Sequence, residues 1–247
     1  MSKLPQITLA FWIMKICATT LGETAGDLLS MTMDVGYAVS SCILIGFFLA
    51  TVSAQLAVKR HHPALYWAVI LSTSTAGTTM SDYMDRTLGL GYMRGSAILL
   101  AILLGVLTLW RLTVRDLSVV NIRTFKVELL YWVAILFSNT LGTALGDFLA
   151  DDSGLGFGGG ALLISGLIGL VVIANLFSRA SKVLLFWIAF VLTRPFGATM
   201  GDVLTKPPEK GGLGFGTIGS SAVLAVILAC LVVLAIREQR RTARTAP

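Results

Sequence analysis

Five carboxylates lie where an apolar chain should carry none. Glu23, Asp27, Asp82, Asp147 and Asp202 fall within or at the end of long hydrophobic stretches, where a charge costs at least about 2.5–3.5 kcal/mol unless it finds a partner or water. Glu23 and Asp27 are four residues apart, so on a helix they share a face and repel. A cation, a shared proton or the nearby Lys15 must relieve them. Around these acids the sequence places Thr20, Thr24, Ser74, Thr75, Asn139 and Thr140. Carboxylate, hydroxyl and amide oxygens are hard ligands, which suit Mn²⁺, Mg²⁺ or Ca²⁺ better than Cu⁺ or Zn²⁺. Lys15 and Arg194 are the internal counter-charges that would compete with such an ion.

The acids recur because the chain repeats itself. Counting from Trp132, a Thr follows at +8, Gly at +10, Gly at +14 and Asp at +15; Trp12, Trp67 and Trp187 open gapless copies of this register with local substitutions. Those four tryptophans are 55, 65 and 55 residues apart, as in a two-copy unit that was itself doubled. After each aspartate comes a turn of the type Gly-aliphatic-Gly-aromatic, with Asp34 replacing the first glycine in the first copy. A fixed period marks an architecture stacked from one supersecondary unit. Position +7 holds Thr19, Ser74, Asn139 and Arg194, polar in all copies yet different in each, as expected of equivalent helices around one asymmetric site.

Several motif residues have plainer readings. The tryptophans are expected at the inner membrane interface, which indole favours, and the paired glycines at helix-packing surfaces. An aspartate 15 residues beyond the tryptophan lies about 22 Å along a helix, where it could instead cap the amides of the next segment.

Composition sets the class. Of 247 residues, 55% are hydrophobic and 13% charged, with mean hydropathy +0.83, against roughly 25% charged in a soluble domain. Eight apolar runs are long enough for a hydrocarbon core of about 30 Å: approximately 7–29, 37–58, 65–84, 92–111, 128–149, 157–178, 183–204 and 215–236. The expected fold is an all-α integral membrane protein, a pseudo-symmetric bundle of eight transmembrane helices in four parallel two-helix repeats. The repeats cover approximately 7–58, 62–111, 127–178 and 182–236 of a single membrane domain, with an inner loop 112–126 and a basic, disordered tail 237–247.

Of the 19 basic residues, 13 fall at the termini or between copies, which by the positive-inside rule puts both termini in the cytoplasm. The net charge of +6 therefore signals topology and anionic-lipid contact, and nucleic-acid binding is excluded. Three scattered cysteines suggest neither a disulfide framework nor a zinc site. The inner loop has an amphipathic pattern suited to the interface. Asp85, Arg86 and Arg94 are expected as exposed pairs in an outer turn, worth under about 1 kcal/mol. Gly156 to Gly160 is expected to be irregular, and Pro195 to kink its helix by removing a ladder bond.

The four tandem two-helix units, with Trp12, Trp67, Trp132, Trp187 and their Gly-Asp elements, resemble a family of bacterial integral membrane proteins known as a repeat of unknown function. That resemblance covers nearly the whole chain and implies a bacterial inner-membrane location. More weakly, Glu23-Thr24-Ala25-Gly26-Asp27 is similar to the Glu-x-Gly-Asp element of a family of calcium/manganese–proton exchangers, with one residue more between the acids.

The expected function is a transporter or channel for a small hard cation, above all a divalent metal such as Mn²⁺, with proton coupling open. Glu23, Asp27, Asp82, Asp147 and Asp202 are the candidate ligands or proton carriers. The alternative is a membrane scaffold or small-ligand sensor whose buried charges are structural. With no nucleophile–base pair or cofactor motif in the sequence, an enzyme is not expected. No covalent cofactor is expected; the expected partners are the lipid bilayer and a metal cation or proton, with homo-oligomer formation left open.

Overall fold

The computed structural model describes residues 5–58, 60–114, 117, 122 and 124–245. Among them are eight long α-helices: α1 (Leu9–Asp27), α2 (Tyr37–Ala57), α3 (Pro63–Asp82), α4 (Tyr92–Val114), α5 (Phe125–Asp147), α6 (Gly156–Phe177), α7 (Lys182–Thr205) and α8 (Gly216–Thr245). Their starts follow ordinary capping chemistry. Hydroxyls of Thr8, Thr124 and Ser181 accept from the backbone three residues on, satisfying an amide that has no intrahelical partner. Pro63 opens α3, where its missing N–H costs nothing.

The odd-numbered helices carry the motif and form a closed inner ring, in which α1 packs on α3, α3 on α5, α5 on α7 and α7 back on α1. The even-numbered helices stand outside it. Each lies against the motif helix of the following copy: α2 on α3, α4 on α5, α6 on α7 and α8 on α1. A repeat is thus not a self-contained hairpin, and the circle closes because the last copy embraces the first.

Glycine makes the inner ring possible. A Cβ on Gly22 would stand 2.3 Å from Ser74 Cβ, one on Gly77 2.9 Å from Thr140 N, one on Gly142 2.3 Å from Arg194 Cγ, and one on Gly197 2.4 Å from Thr19 Oγ1. The +10 glycine of every copy therefore receives the +7 region of the next. Gly26, Gly146 and Gly201 repeat the arrangement one turn on, against Thr78, Ala198 and Glu23. Rows four residues apart pack into one another, the close backbone approach that small-xxx-small pairs permit.

Six helices, α2 and α4 to α8, are long and apolar enough to cross a membrane, the build of a multi-pass membrane protein. The outer helices present Phe47, Leu104, Leu170, Phe177 and Val223 on the surface. Helices α1 and α3 have comparable length but carry Lys15, Glu23 and Asp27 or a run of hydroxyls. Ring helices are lined by protein on most sides, so they need not be apolar.

Several expectations change. The tryptophans are not interfacial anchors: Trp67, Trp132 and Trp187 are buried and Trp12 half-buried. They join Phe11, Tyr66, Trp110, Tyr131 and Phe186 in edge-on and tilted stacks with centroids 4.9–6.4 Å apart, because ring closure brings four aromatic pairs together at one end. The expected disordered tail is helical as far as Thr245, as an extension of α8. The Gly156 to Gly160 run keeps one irregular residue, Gly156 with its left-handed φ of 65°, and otherwise forms the first turn of α6; helix α7 continues on both sides of Pro195. Of the inner loop, Ile122 is buried in the core and Leu117 O accepts from Trp187 Nε1 at 3.1 Å, so those two points dock on the bundle. Arg115, Asp116, Val119, Val120 and Arg123, with the predicted inner cations Lys3 and Lys59, lie outside the described residues. All three cysteines are free thiols.

At the opposite end, three motif helices continue from the aspartate into one π-helical turn: Leu28–Thr32, Tyr83–Thr87 and Phe148–Asp152. The fourth does not; α7 ends at Thr205, and a 3₁₀ turn, Pro208–Lys210, follows. Left-handed φ values occur at Asp34 and Gly36, Gly89 and Gly91, Gly154 and Gly156, whereas in the last copy Gly211 caps the 3₁₀ turn and the pair is Gly214 and Gly216. That pair is thus displaced by two residues from the predicted glycines. Asp34 sits where aspartate is among the few non-glycine residues tolerated.

Candidate functional site

The ring helices stack their chemistry in tiers four residues apart, one residue from each helix per tier. Lys15, Ile70, Ile135 and Phe190 form the tier at +3, Thr19, Ser74, Asn139 and Arg194 that at +7, Glu23, Thr78, Thr143 and Ala198 that at +11, and Asp27, Asp82, Asp147 and Asp202 that at +15. All sixteen are buried, none more than 4% exposed. The varied +7 residues do meet: Asn139 Nδ2 donates to Ser74 Oγ at 3.3 Å, and Arg194 Nη1 and Nη2 donate to Thr19 O and Ser74 O at 3.3 and 3.1 Å.

Arg194 is the hub. Its Nη1 lies 3.0 Å from Glu23 Oε2, and its Nη2 also donates to Thr78 Oγ1. Glu23 Oε2 accepts from Thr78 Oγ1 at 3.2 Å and Thr143 Oγ1 at 3.5 Å as well. A buried guanidinium–carboxylate pair survives desolvation only with such added hydrogen bonds. Arg194 Nε alone is buried with no hydrogen-bond partner among the described residues. One tier down, Lys15 Nζ donates to Asn139 Oδ1 at 3.3 Å and lies 4.1 Å from the centre of the Phe190 ring. Asn139 Nδ2 in turn donates to Thr73 Oγ1 at 2.8 Å. Lys15 has no carboxylate in ion-pair range among the described residues.

The aspartate tier is closed by two basic residues that sequence reasoning missed. Arg86 Nε lies 3.0 Å from Asp82 Oδ1 and its Nη2 3.4 Å from Asp147 Oδ2. Lys206 Nζ lies 3.2 Å from Asp202 Oδ1 and 3.3 Å from Asp27 Oδ2. Both stand nineteen residues after their tryptophan, and each joins its own copy's aspartate to that of the next copy. The signal was there to be found by aligning one turn beyond the motif. Arg86 is exposed, as expected, but its partners are the buried Asp82 and Asp147 of the tier and not a neighbour in its own turn. Asp85 is buried instead of exposed, with its Oδ2 accepting from Ser81 Oγ at 3.2 Å.

The aspartates do not cap helices. None of Asp27, Asp82 and Asp147 makes a side-chain capping bond to the turn that follows it. Three acids approach one another instead: carboxylate oxygens of Glu23, Asp147 and Asp202 lie within 4.8 Å of each other, a spacing that one cation could span. By contrast Thr20, Thr75 and Thr140 turn their hydroxyls to carbonyls of their own helices. Thr24 bonds Leu21 O and Ser221 Oγ of α8. Those four serve helix satisfaction and packing, as mid-helix hydroxyls commonly do.

An all-helical, multi-pass ring of four motif copies, with its polar residues turned inward, is the class these features define. The chain belongs to the family described as Repeat of Unknown Function (DUF347), whose model matches residues 10–61, 65–116, 130–181 and 185–241. No match is found among curated proteins or among solved structures.

Proposed function

We propose that the protein carries a small hard divalent cation, with Mn²⁺ the leading candidate, across a bacterial inner membrane, with protons as the coupling ion. One observation carries the reading. The +15 tier holds four buried carboxylates against two basic groups, Arg86 and Lys206, each shared by two of them, while Glu23 has Arg194 and Lys15 lies three tiers away on Asn139, so two carboxylates of that tier lack a matching charge. Buried charge must be neutralised, and a divalent ion or two protons would do so equally. Exchange of one for two is the chemistry of a proton-coupled carrier. The carboxylates, with the Thr78 and Thr143 hydroxyls that support Glu23, supply oxygen only, the ligand type of Mn²⁺, Mg²⁺ and Ca²⁺.

In this reading all eight helices span the bilayer, α1 and α3 included. The loops with Arg60, Arg111, Lys126, Arg179 and Lys182 face the cytoplasm with both termini, and the aspartate tier faces outward. The aromatic residues seal the inner end, which favours a carrier over an open pore. Purified protein heated with a panel of salts tests the proposal: Mn²⁺ should raise the unfolding temperature saturably, and no response to any hard divalent ion at millimolar concentration would defeat it.

A second reading, a scaffold or sensor held by structural charges, draws on the number of bonds that fix Arg194. It predicts that Arg194→Ala destabilises the protein in detergent while leaving the metal tolerance of cells unchanged.

A further inference from the structure

The two basic residues over the aspartates occupy equivalent positions but are held very differently. Arg86 is clamped. Besides Asp82 and Asp147, it donates to Tyr37 Oη at 3.4 Å, and its guanidinium lies 5.9 and 5.7 Å from the Tyr37 and Tyr92 rings. Tyr92 is itself fixed by a hydrogen bond to Asp151 Oδ2 at 3.1 Å. A planar guanidinium between two rings and two carboxylates is oriented from every side.

Lys206 has only its two carboxylates as side-chain partners among the described residues. Its backbone is secured: Lys206 N donates to Asp202 O, Gly214 N to Lys206 O, and Phe215 N to Leu204 O, at 2.8–3.0 Å. The freedom is confined to a four-carbon side chain carrying a compact, strongly hydrated charge. There is room next to the preceding residue, Thr205. A cleft of about 460 Å³ is lined by Thr32, Thr205, Phe215 and the first turn of α8. Thr205 adjoins Lys206 in the chain and Thr32 lies five residues after Asp27, so the cleft opens on the seam between the fourth and first copies that Lys206 itself bridges.

We infer that Lys206 is the gate of the acidic chamber, a tethered cation that swings into this cleft when a hard divalent ion takes its place on Asp27 and Asp202, while Arg86 remains as the fixed half of the closure. The inference rests on the cation reading above. A tethered ammonium both keeps the acids neutralised while no ion is bound and sets a charge threshold, since an incoming ion must outcompete it for two carboxylates. A monovalent ion gains little by the exchange.

Mn²⁺ binding to the full-length purified protein, followed by calorimetry together with Mn²⁺ uptake by proteoliposomes, tests this. Lys206→Met should tighten Mn²⁺ binding about tenfold or more, because a competing unit charge beside the ligands is removed. Its selectivity for Mn²⁺ over K⁺ should fall. Lys206→Arg, which keeps the charge, should bind no tighter than wild type. Arg86→Met should tighten binding much less, because Arg86 does not occupy the Asp27 and Asp202 oxygens that the ion takes. If Lys206→Met fails to fold, Lys206→Gln makes the same removal with a polar side chain. Wild-type binding with no gain in either neutral variant, or an equal gain in Arg86→Met, overturns the gate and leaves the cation reading standing. A wild type that binds no hard divalent ion removes both.

Discussion

The same four helices end in opposite chemistries. At one end the ring is filled by Phe11, Tyr66, Tyr131 and Phe186 with their neighbouring tryptophans; sixteen residues along each helix, the equivalent places are Asp27, Asp82, Asp147 and Asp202. Backbone packing is common to both, since the glycines at +10 and +14 set how closely the helices approach. What stands on the inward row then decides whether that stretch is a dry plug or an ion chamber. Stability and chemistry are therefore separable, and each can be perturbed alone.

The largest effect is expected where the two meet. Arg194→Ala leaves Glu23 buried without its cation and should cost about 3–5 kcal/mol, seen as a large fall in the unfolding temperature in detergent. Arg194→Lys should not restore stability, because an ammonium cannot reach Glu23 on one side and Ser74 O and Thr78 on the other as the forked guanidinium does. A stable, wild-type-like Arg194→Ala protein would mean that the chamber is not a separate electrostatic unit.

Next comes the shared scaffold. In Gly77→Val, the added Cβ would lie 2.9 Å from Thr140 N and 3.0 Å from Asn139 C, backbone that cannot retreat without separating α3 from α5. Overpacking of this kind costs about 1–3 kcal/mol and sometimes more, and thermal unfolding should report it. A neutral result would show that the glycine rows are not what closes the ring.

The aromatic end should respond more mildly. Tyr66→Phe removes the 2.9 Å hydrogen bond between the Tyr66 and Tyr131 hydroxyls, a loss of about 0.5–1.5 kcal/mol. Mn²⁺ affinity should stay as in wild type, and a changed affinity would break the separation of the two ends. Smallest of all, Gly46→Ala on the outer face of α2 meets nothing within 4 Å and should stabilise by up to about 1 kcal/mol through helix propensity.

How far the sequence carried the account depended on whether a feature was local or relational. The eight helical segments were legible, because apolar runs and Gly-rich turns are local signals, and the observed boundaries differ from the predicted ones mostly by one to three residues. The exception is α8, whose basic end was taken for a tail. Convergence of the +7 residues was also legible, since polar variety on a repeated position implies a common interior. Three things were not. The packing of each even helix on the next copy is decided by ring closure, which no single repeat encodes. The tryptophans were misplaced because indole suits an interface and a buried aromatic cluster equally, and only the neighbours decide. Arg86 was expected to pair within its own exposed turn and Lys206 was given no role, because both follow the motif in what looked like turns. In fact the helix continues for another π turn beyond Asp82, and Lys206 caps α7, so both side chains fold back over the acids.

Uptake of Mn²⁺ into sealed proteoliposomes containing the purified protein tests the central claim most directly. Wild-type vesicles should accumulate Mn²⁺ faster under an imposed proton gradient, whereas Asp202→Asn and Asp147→Asn vesicles, with protein that still folds, should fall to the rate of empty liposomes. Uptake by those variants equal to that of wild type would contradict the account.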